Sequence, residues 1–258
     1  MSLIRVPEHR LEDLEAWTAV SAHDLAWTAT TGFVRRVTEA QRELTRWLDE
    51  DRAPYISVSW GKDSVCLAHL AHLAPTDAEL ARVTYPHLDN PYSNLVRDAF
   101  LARWPFPYRE VEVVTATPPV YREPHVLDQA WFEDVWTPAW GDALAELADY
   151  YDSYATGIRA QESRARRMRL ARHGIATDVT CAPLSRWTAQ DVWAYLAIHD
   201  LPVHPTYAMA YAGSLDRDWL RVDFLSLPVG QQGDRAQHEE DYLWRQEKDR
   251  DRERRAAR

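Results

Sequence analysis

Cysteine is scarce in this sequence, because only Cys66 and Cys181 occur among 258 residues. Two thiols cannot build a disulfide framework. They are also too few for a four-cysteine zinc site or a four-cysteine iron–sulfur cluster within one chain. These three classes are therefore excluded, and we expect a reducing, cytoplasmic setting because structural disulfides belong to oxidising compartments.

Long apolar stretches are also missing. No run of 18 apolar residues occurs, so no membrane span is expected. The opening residues, MSLIRVPEHRLEDLEAW, become charged at once and lack the apolar core of a signal peptide. Internal repeats and low-complexity linkers are absent as well. A chain of this length suits one large domain, or one domain with a helical addition.

Positive charge is in deficit overall, with a formal net charge of −10, which argues against a protein that coats nucleic acid broadly. The distribution is uneven. Six arginines fall between Arg159 and Arg172, whereas the tail from Asp234 to Arg258 carries eight basic and eight acidic side chains. A concentrated cationic segment in an acidic body predicts a local anion site.

The chain alternates between apolar strand-like runs and helical patterns, which indicates an α/β sheet with parallel crossovers. Gly174 follows the arginine-rich helix as a C′ glycine. Thr188 and Asp191 form an acidic variant of the capping box at the next helix. The predicted strands are 54–59, 81–85, 108–114, 153–159 and 177–183, and the predicted helices are 64–73, 94–104, the arginine-rich segment up to Gly174, and 188–199.

Three regions lie outside this alternation. Residues 1–50 read as an N-terminal helical segment, and 51–210 as the α/β domain. Residues 115–150, rich in Pro, Trp and acidic side chains, are predicted to be an insertion that covers one edge of the sheet. Residues 211–258 are predicted to be an extension that ends in a charged, helical tail.

The stretch SVSWGKDSVCL places Ser59, Gly61, Lys62, Asp63 and Ser64 in the turn between a strand and a helix. Such a turn offers unpaired N–H groups and the positive end of the helix dipole, which together bind phosphate. Hydroxyls, a mobile ammonium and a glycine that permits close approach suit the same ligand. The same residue types are also common in any strand-to-helix turn. Neither GxxxxGK[ST] nor GxGxxG occurs.

The hexapeptide SWGKDS resembles SGGxDS, the pyrophosphate loop of the PP-loop ATP pyrophosphatases, except that Trp60 replaces the first glycine. GIRAQESRARR (157–167) resembles the motif G-[IVT]-R-x-x-E-S-x-x-R of the phosphoadenosine phosphosulfate (PAPS) reductase branch. APLSRWTAQDVWAYLAIHDLPVHPTY (182–207) resembles P-L-x-x-W-[TS]-x-x-D-V-W and the LP-x-x-P-x-Y that follows it. All three motifs stand in the family's order. The resemblance implies a Rossmann-like, HUP-type, mainly parallel sheet flanked by helices.

In the loop, the resemblance implies that Ser59, Gly61, Lys62 and Ser64 hold the phosphates of ATP or of a PAPS- or APS-like nucleotide. Asp63 would hold Mg²⁺ or fix the loop, and a plain helix cap is the alternative. Lys62 and Asp63, with an arginine of the second motif, would form the catalytic set.

In the second motif, Gly157 would allow close backbone approach, and Arg159 would contact a phosphate or sulfate, since its planar fork suits oxyanions. Glu162 would orient an arginine. Arg164 or Arg167 would add a further contact, because helical spacing prevents every arginine from facing one ligand.

Asp89, after the second strand, falls where related enzymes recognise adenosine, although an ordinary turn aspartate is equally consistent. His204 and Tyr207 follow the last helix and could reach the cleft. Cys66 is interpreted as a core thiol, and Cys181 as a buried thiol near the cleft.

Three functions follow from the resemblance. The first is an enzyme that cleaves ATP between the α- and β-phosphates and adenylates an unidentified acceptor in sulfur or nucleic-acid modification. The second is a PAPS or APS reductase, which acts through a C-terminal cysteine, but here no cysteine follows Cys181. The third is a nucleotide-binding subunit without chemistry of its own. A protein partner or a second copy is expected, and no membrane.

Overall fold

The computed structural model describes residues 2–50, 52–123, 126–209, 217–218 and 222. Its helices and strands alternate along the chain as the sequence predicts. The helices are α1 (Leu11–Trp27), α2 (Thr31–Leu48), α3 (Lys62–His72), α4 (Ser93–Arg103), α5 (Gln129–Trp131), α6 (Thr137–Ala148), α7 (Arg164–His173) and α8 (Ala189–Ile198). The strands are β1 (Ser2–Leu3), β2 (Pro54–Ser57), β3 (Glu79–Thr84), β4 (Tyr108–Glu112), β5 (Tyr121–Glu123), β6 (Val126–Leu127), β7 (Ser153–Ala155), β8 (Thr180–Cys181) and β9 (Pro202–Val203).

Five of these strands form the central sheet, in the order β4–β3–β2–β7–β8, and every neighbouring pair is parallel. The chain first builds the sheet from β2 through β3 to β4, then returns to the other side of β2 for β7 and β8. Two crevice-forming crossovers therefore diverge from β2, which is the topological switch point where ligands bind in open α/β sheets. The predicted α/β class with a parallel sheet is confirmed.

The N-terminal helices pack on the α8 side of the sheet. Asp191 ties them together: Trp27 donates its indole N–H to the carboxylate at 2.9 Å, and Arg36 donates from Nε at 2.8 Å. Asp191 also closes the predicted capping box with Thr188. Burial alone would raise the pKa of Asp191, but these hydrogen bonds outweigh it and lower that pKa. Among the described residues no helix is long and apolar enough to cross a membrane.

The insertion at 115–150 covers one face of the sheet, so the prediction that it covers an edge was wrong. Ala81 and Val111, which point to that face of β3 and β4, share a core cluster with Trp131 and Trp136 of the insertion. Two strand residues on one face, together with large aromatic side chains, bury more apolar area than an edge could offer.

Two predicted strands are shorter than expected. The strand at 153–159 ends at Ala155, because Thr156 and Gly157 leave the ladder and line a cavity. The strand at 177–183 shrinks to Thr180–Cys181, because a turn forms in which Thr177 donates its backbone N–H to Thr180. The predicted helical tail lies outside the described residues.

Candidate nucleotide site

A cavity of about 280 Å³ opens where β2 and β7 end. Parallel strands deliver their carboxyl ends to one edge, so the turns after both strands meet there. The wall combines three parts of the chain: the turn that begins α3, the segment that follows β7, and three residues from further along. The lining includes Ser59, Gly61, Lys62, Asp63, Ser64, Gly157, Arg159, Gln161, Glu162, Arg166, Tyr207, Asp218 and Val222.

Trp60 adopts the backbone conformation of the glycine that it replaces. Its φ is +62°, in the left-handed region that costs a non-glycine residue about 1–2 kcal/mol. The side chain is fully buried, donates its indole N–H to the Tyr108 hydroxyl at 3.1 Å, and packs against Phe100. The tryptophan therefore turns its ring into the core, away from the cavity, and leaves the loop backbone facing it.

The turn closes on itself through hydroxyl hydrogen bonds. Ser64 donates its hydroxyl to the Gly61 carbonyl at 3.1 Å and accepts the Ser59 backbone N–H at 3.2 Å. Gly61 is the N-cap of α3 and has no side chain to satisfy the first amides. Tyr207 accepts the Lys62 backbone N–H at 3.3 Å. The cavity thus meets a helix N-terminus that no side-chain cap neutralises.

The centre of the site is a buried charge triad of Lys62, Asp63 and Arg159. Arg159 donates from Nε to Asp63 Oδ1 at 2.5 Å, and Lys62 Nζ lies 3.5 Å from Asp63 Oδ2. Burial lowers the pKa of Lys62, although Asp63 opposes that change. Burial alone would raise the pKa of Asp63, but Arg159 and Lys62 outweigh it and leave that pKa below its usual value.

Glu162 holds the arginines of the second motif in place. It accepts the Arg159 backbone N–H at 2.9 Å, and it forms a close ion pair with Arg166. Arg166 lines the cavity, whereas Arg164 and Arg167 are exposed and lie outside its wall. The prediction of Arg164 or Arg167 is therefore replaced by Arg166, which is also the residue on which the final arginine of G-[IVT]-R-x-x-E-S-x-x-R falls when its spacing is counted.

Asp89 also lies outside the cavity wall. Its carboxylate lies 3.2 Å from Nη2 of the buried Arg82, and its backbone N–H is donated to Tyr85 at 2.8 Å. Burial raises the pKa of Asp89, although Arg82 opposes that change. His204 is likewise buried, and burial followed by the charge of Arg82 lowers its pKa to about 3. Asp89 and His204 are thus interior groups, and Tyr207 alone of the pair after α8 reaches the cavity.

Both thiols are enclosed. Cys66 and Cys181 have no exposed surface. Burial raises the pKa of Cys66 well above its usual value and that of Cys181 to about 12. A thiol held protonated in this way is a poor nucleophile. Neither cysteine is among the cavity's lining residues.

Asp218 and Val222 escaped sequence-based prediction. Asp218 accepts the Trp193 indole N–H at 2.7 Å and lines the cavity opposite the loop. No local pattern marks either residue, because they come from an irregular stretch that follows the last motif. Only the tertiary fold returns them to the site.

A Mg²⁺ role for Asp63 does not fit its contacts, because its two carboxylate oxygens already face Arg159 and Lys62. Within the described part of the chain, no group of three or more His, Cys, Asp or Glu side chains could hold a metal ion. Asp63 therefore suits the other predicted role, which is fixing the loop. Any Mg²⁺ would arrive with the nucleotide phosphates.

Gly157 is packed against the loop backbone. A Cβ at this position would lie 3.1 Å from both the carbonyl carbon and oxygen of Asp63 and 3.3 Å from the Ser64 nitrogen. These neighbours are backbone atoms at the start of α3, so they cannot rotate away. The close approach expected at Gly157 is thus made between the two halves of the site.

We expect Gly157→Ala to destabilise the protein by about 1–3 kcal/mol, because overpacking against backbone forces a shift. Urea unfolding measures the change. Gly141→Ala is the matched control: a Cβ there meets nothing within 4 Å, and alanine in the middle of α6 should stabilise by about 0.5–1 kcal/mol. Equal effects of the two substitutions would contradict the packing argument.

Comparison with known proteins gives one match that covers most of the chain. A sequence profile of the phosphoadenosine phosphosulfate reductase domain matches residues 53–213. Among curated proteins, the chain is 39% identical over 61 residues to "Sulfate adenylyltransferase subunit 2" of Xanthomonas euvesicatoria pv. vesicatoria, which is 23% of this chain and 20% of that protein. It is 34% identical over 59 residues to "Phosphoadenosine 5'-phosphosulfate reductase" of Xanthomonas axonopodis pv. citri, which is 23% of this chain and 24% of the relative.

Solved structures show more distant similarity. The PAPS reductase of Candida auris, in a phosphate complex, aligns with a TM-score of 0.46 at 14% identity, over 79% of this chain and 92% of that chain. The U34-tRNA thiolase NcsA of Methanococcus maripaludis, with its [4Fe-4S] cluster, aligns with a TM-score of 0.43 at 16% identity, over 64% of each chain.

Proposed function

The chain belongs to the phosphoadenosine phosphosulfate reductase domain family, and from this premise we propose that it cleaves ATP between the α- and β-phosphates. Pyrophosphate leaves, and the adenylyl group passes to an acceptor oxygen. Members of the family with assigned names are enzymes. Under this proposal, residues 51–210 act as the nucleotide-binding domain, and a cytoplasmic location remains a prediction from the cysteine content.

The observation that carries the proposal is the uncapped N-terminus of α3 with Lys62 beside it in the cavity. Pyrophosphate gains negative charge as the bond to the α-phosphorus breaks. Preorganised N–H groups, the helix dipole and a buried ammonium stabilise such a leaving group more than they stabilise the bound substrate. Ser59 and Gly61 shape the loop, and Arg159 holds Asp63 so that Lys62 stays directed at the cavity.

Arg166 would contact the nucleotide from the opposite wall. Its guanidinium pairs with Glu162 at the cavity rim. Arginine binds phosphate oxygens in a fork geometry that lysine cannot reproduce. This division gives lysine to the pyrophosphate loop and arginine to the segment after β7.

Two further observations bear on the acceptor and on partners. The name "Sulfate adenylyltransferase subunit 2" describes adenylyl transfer and an assembly of subunits. It supports adenylation as the reaction type, and a protein partner as part of the proposal. The acceptor itself is addressed below.

The second candidate is a reductase that acts on a sulfonucleotide, which the family's name and one curated relative favour. That chemistry needs a reactive thiolate. Both cysteines of this sequence are enclosed and have raised pKa values, so the reductase is the weaker candidate. The third, a nucleotide-binding subunit without turnover, is separated from the first by experiment.

Product analysis of ATP incubated with Mg²⁺ and the purified protein tests the proposal. AMP or an AMP adduct together with pyrophosphate is the expected result. ADP with phosphate would overturn it. Tight ATP binding without turnover would favour the nucleotide-binding subunit, whereas preferential binding of PAPS would favour the reductase-like candidate.

A further inference from the structure

The outward face of α7 carries three arginines that the site does not use. Arg164, Arg167 and Arg172 are exposed, and Met168 between them is 62% exposed. At 3.6 residues per turn these four side chains share one side of the helix. The opposite side, which includes the half-buried Arg166, faces the protein.

The three arginines differ from the other basic residues of α7 in their contacts. Arg166 pairs with Glu162, and Arg169 donates to the Thr180 hydroxyl. Arg164, Arg167 and Arg172 form no hydrogen bond or ion pair with any residue that the structure describes. No acidic residue occurs between 163 and 177 in the sequence.

This arrangement costs stability. Arg164 is the first residue of α7, where the helix dipole disfavours positive charge. Arg164 and Arg167 are three residues apart, at a spacing where like charges repel. An acidic protein could have placed carboxylates here at no cost, so an anionic partner gives the face its reason.

The face adjoins the nucleotide site. Glu162 and Arg166 line the cavity, and Ser163 caps α7 directly beside them. The 3-10 turns at 160–162 and 183–186 pack together, and Arg186 lines an open groove of about 750 Å³ with Arg35 and Arg42. A long anion on α7 would therefore extend from this groove towards the cavity mouth.

We propose that the outward face of α7 binds the phosphate backbone of a nucleic acid, which presents the acceptor of adenylation to the cavity. This inference rests on the proposed function for the word acceptor, but the binding itself does not. From Arg164 to Arg172 the helix rises about 12 Å. Duplex DNA carries one negative charge per about 1.7 Å of axis, so several phosphates lie within this reach.

A nucleic acid fits this face better than an acidic protein does. Protein interfaces have an apolar, desolvated centre with a polar rim, whereas this face offers a single methionine among guanidinium groups. Phosphate recognition needs no apolar centre, because released counterions supply the affinity. The negative charge of the remaining surface confines such binding to α7 and its groove.

Fluorescence anisotropy with labelled single-stranded RNA, single-stranded DNA and duplex DNA, without ATP, tests the proposal. We expect the variant Arg164→Ala/Arg167→Ala/Arg172→Ala to bind the preferred probe at least about 30-fold more weakly. Its salt dependence between about 50 mM and 200 mM should fall by two to three charges. The control variant Arg5→Ala/Arg97→Ala/Arg103→Ala removes the same charge from other elements and should bind within about threefold of wild type.

Equal weakening in both variants, or no binding of any probe by the wild type, would overturn the proposal. Binding of a labelled polyglutamate peptide as tight as that of the nucleic acids would assign the face to an acidic protein instead. Because the assay contains no ATP, its outcome is independent of whether the protein releases pyrophosphate.

Discussion

Replacing Lys62 with methionine should lower the rate of pyrophosphate release by about 10²- to 10³-fold, the usual cost of removing one preorganised group that stabilises developing charge. Methionine keeps the length and apolar stem of the side chain. The lost element is the charge beside the N-terminus of α3. Steady-state release of pyrophosphate from ATP and Mg²⁺ gives the measurement.

The same substitution should leave the protein folded and should not destabilise it. Lys62 is 5% exposed, and burial lowers its pKa, so the fold holds the charged form at a cost. Asp63 keeps Arg159 as its partner at 2.5 Å after the substitution. Urea unfolding should therefore give a free energy equal to or above that of the wild type, which separates a functional charge from a structural one.

The pH dependence carries opposite signs for activity and stability. Pyrophosphate release needs the charged lysine, so it should fall as pH rises through the folded pKa, below the ordinary value of 10.5. The unfolded chain binds more protons than the folded one between these two values, so the Lys62 contribution to stability should rise with pH there. Both effects should vanish in Lys62→Met.

Lys62→Arg is the control, because it keeps a charge in a chain where only two of 30 lysine and arginine side chains are lysine. It should retain more activity than methionine does, yet less than the wild type, since the planar guanidinium does not fit a point-charge position between Trp193 and Tyr207. Full activity in Lys62→Met would remove Lys62 from the catalytic set.

Local patterns predicted the parts of the site that lie close together in sequence. Strand-to-helix chemistry located the loop at Ser59 and Lys62, and the periodicity on either side located the sheet edge to which both halves belong. The Thr188 capping box and the Gly174 terminus were also confirmed. Each of these depends on residues within one turn of each other, where backbone hydrogen bonding alone decides the outcome.

Other features depend on tertiary packing and could not be predicted in that way. Trp60 keeps a glycine conformation only because Tyr108 and Phe100 receive its ring. Asp89 is diverted into the interior by Arg82, which lies on the preceding strand. Asp218 enters the site because Trp193 binds its carboxylate. In each case a long-range partner sets the side chain's direction.

Arg217 holds the far wall of the cavity, and its loss should be the most destabilising change outside the core. Its guanidinium donates two hydrogen bonds to Asp24 of α1, at 2.7 and 2.6 Å, and stacks 4.6 Å from the Trp193 ring. Asp24 has no exposed surface. Arg217→Met strands this carboxylate, with Gln190 as a remaining donor, and should cost about 3–5 kcal/mol in urea unfolding.

A double variant separates stability from positioning. Arg217→Met with Asp24→Leu removes both charges, so its unfolding free energy should return to within about 1 kcal/mol of wild type. The neighbouring Asp218 and Val222, which line the cavity, would then lack the ion pair that fixes them to α1. The KM for ATP should therefore stay raised several-fold in a stable protein, because a misplaced wall weakens positioning. If KM recovers along with stability, the pair only supports the fold, and Asp218 is positioned by Trp193 alone.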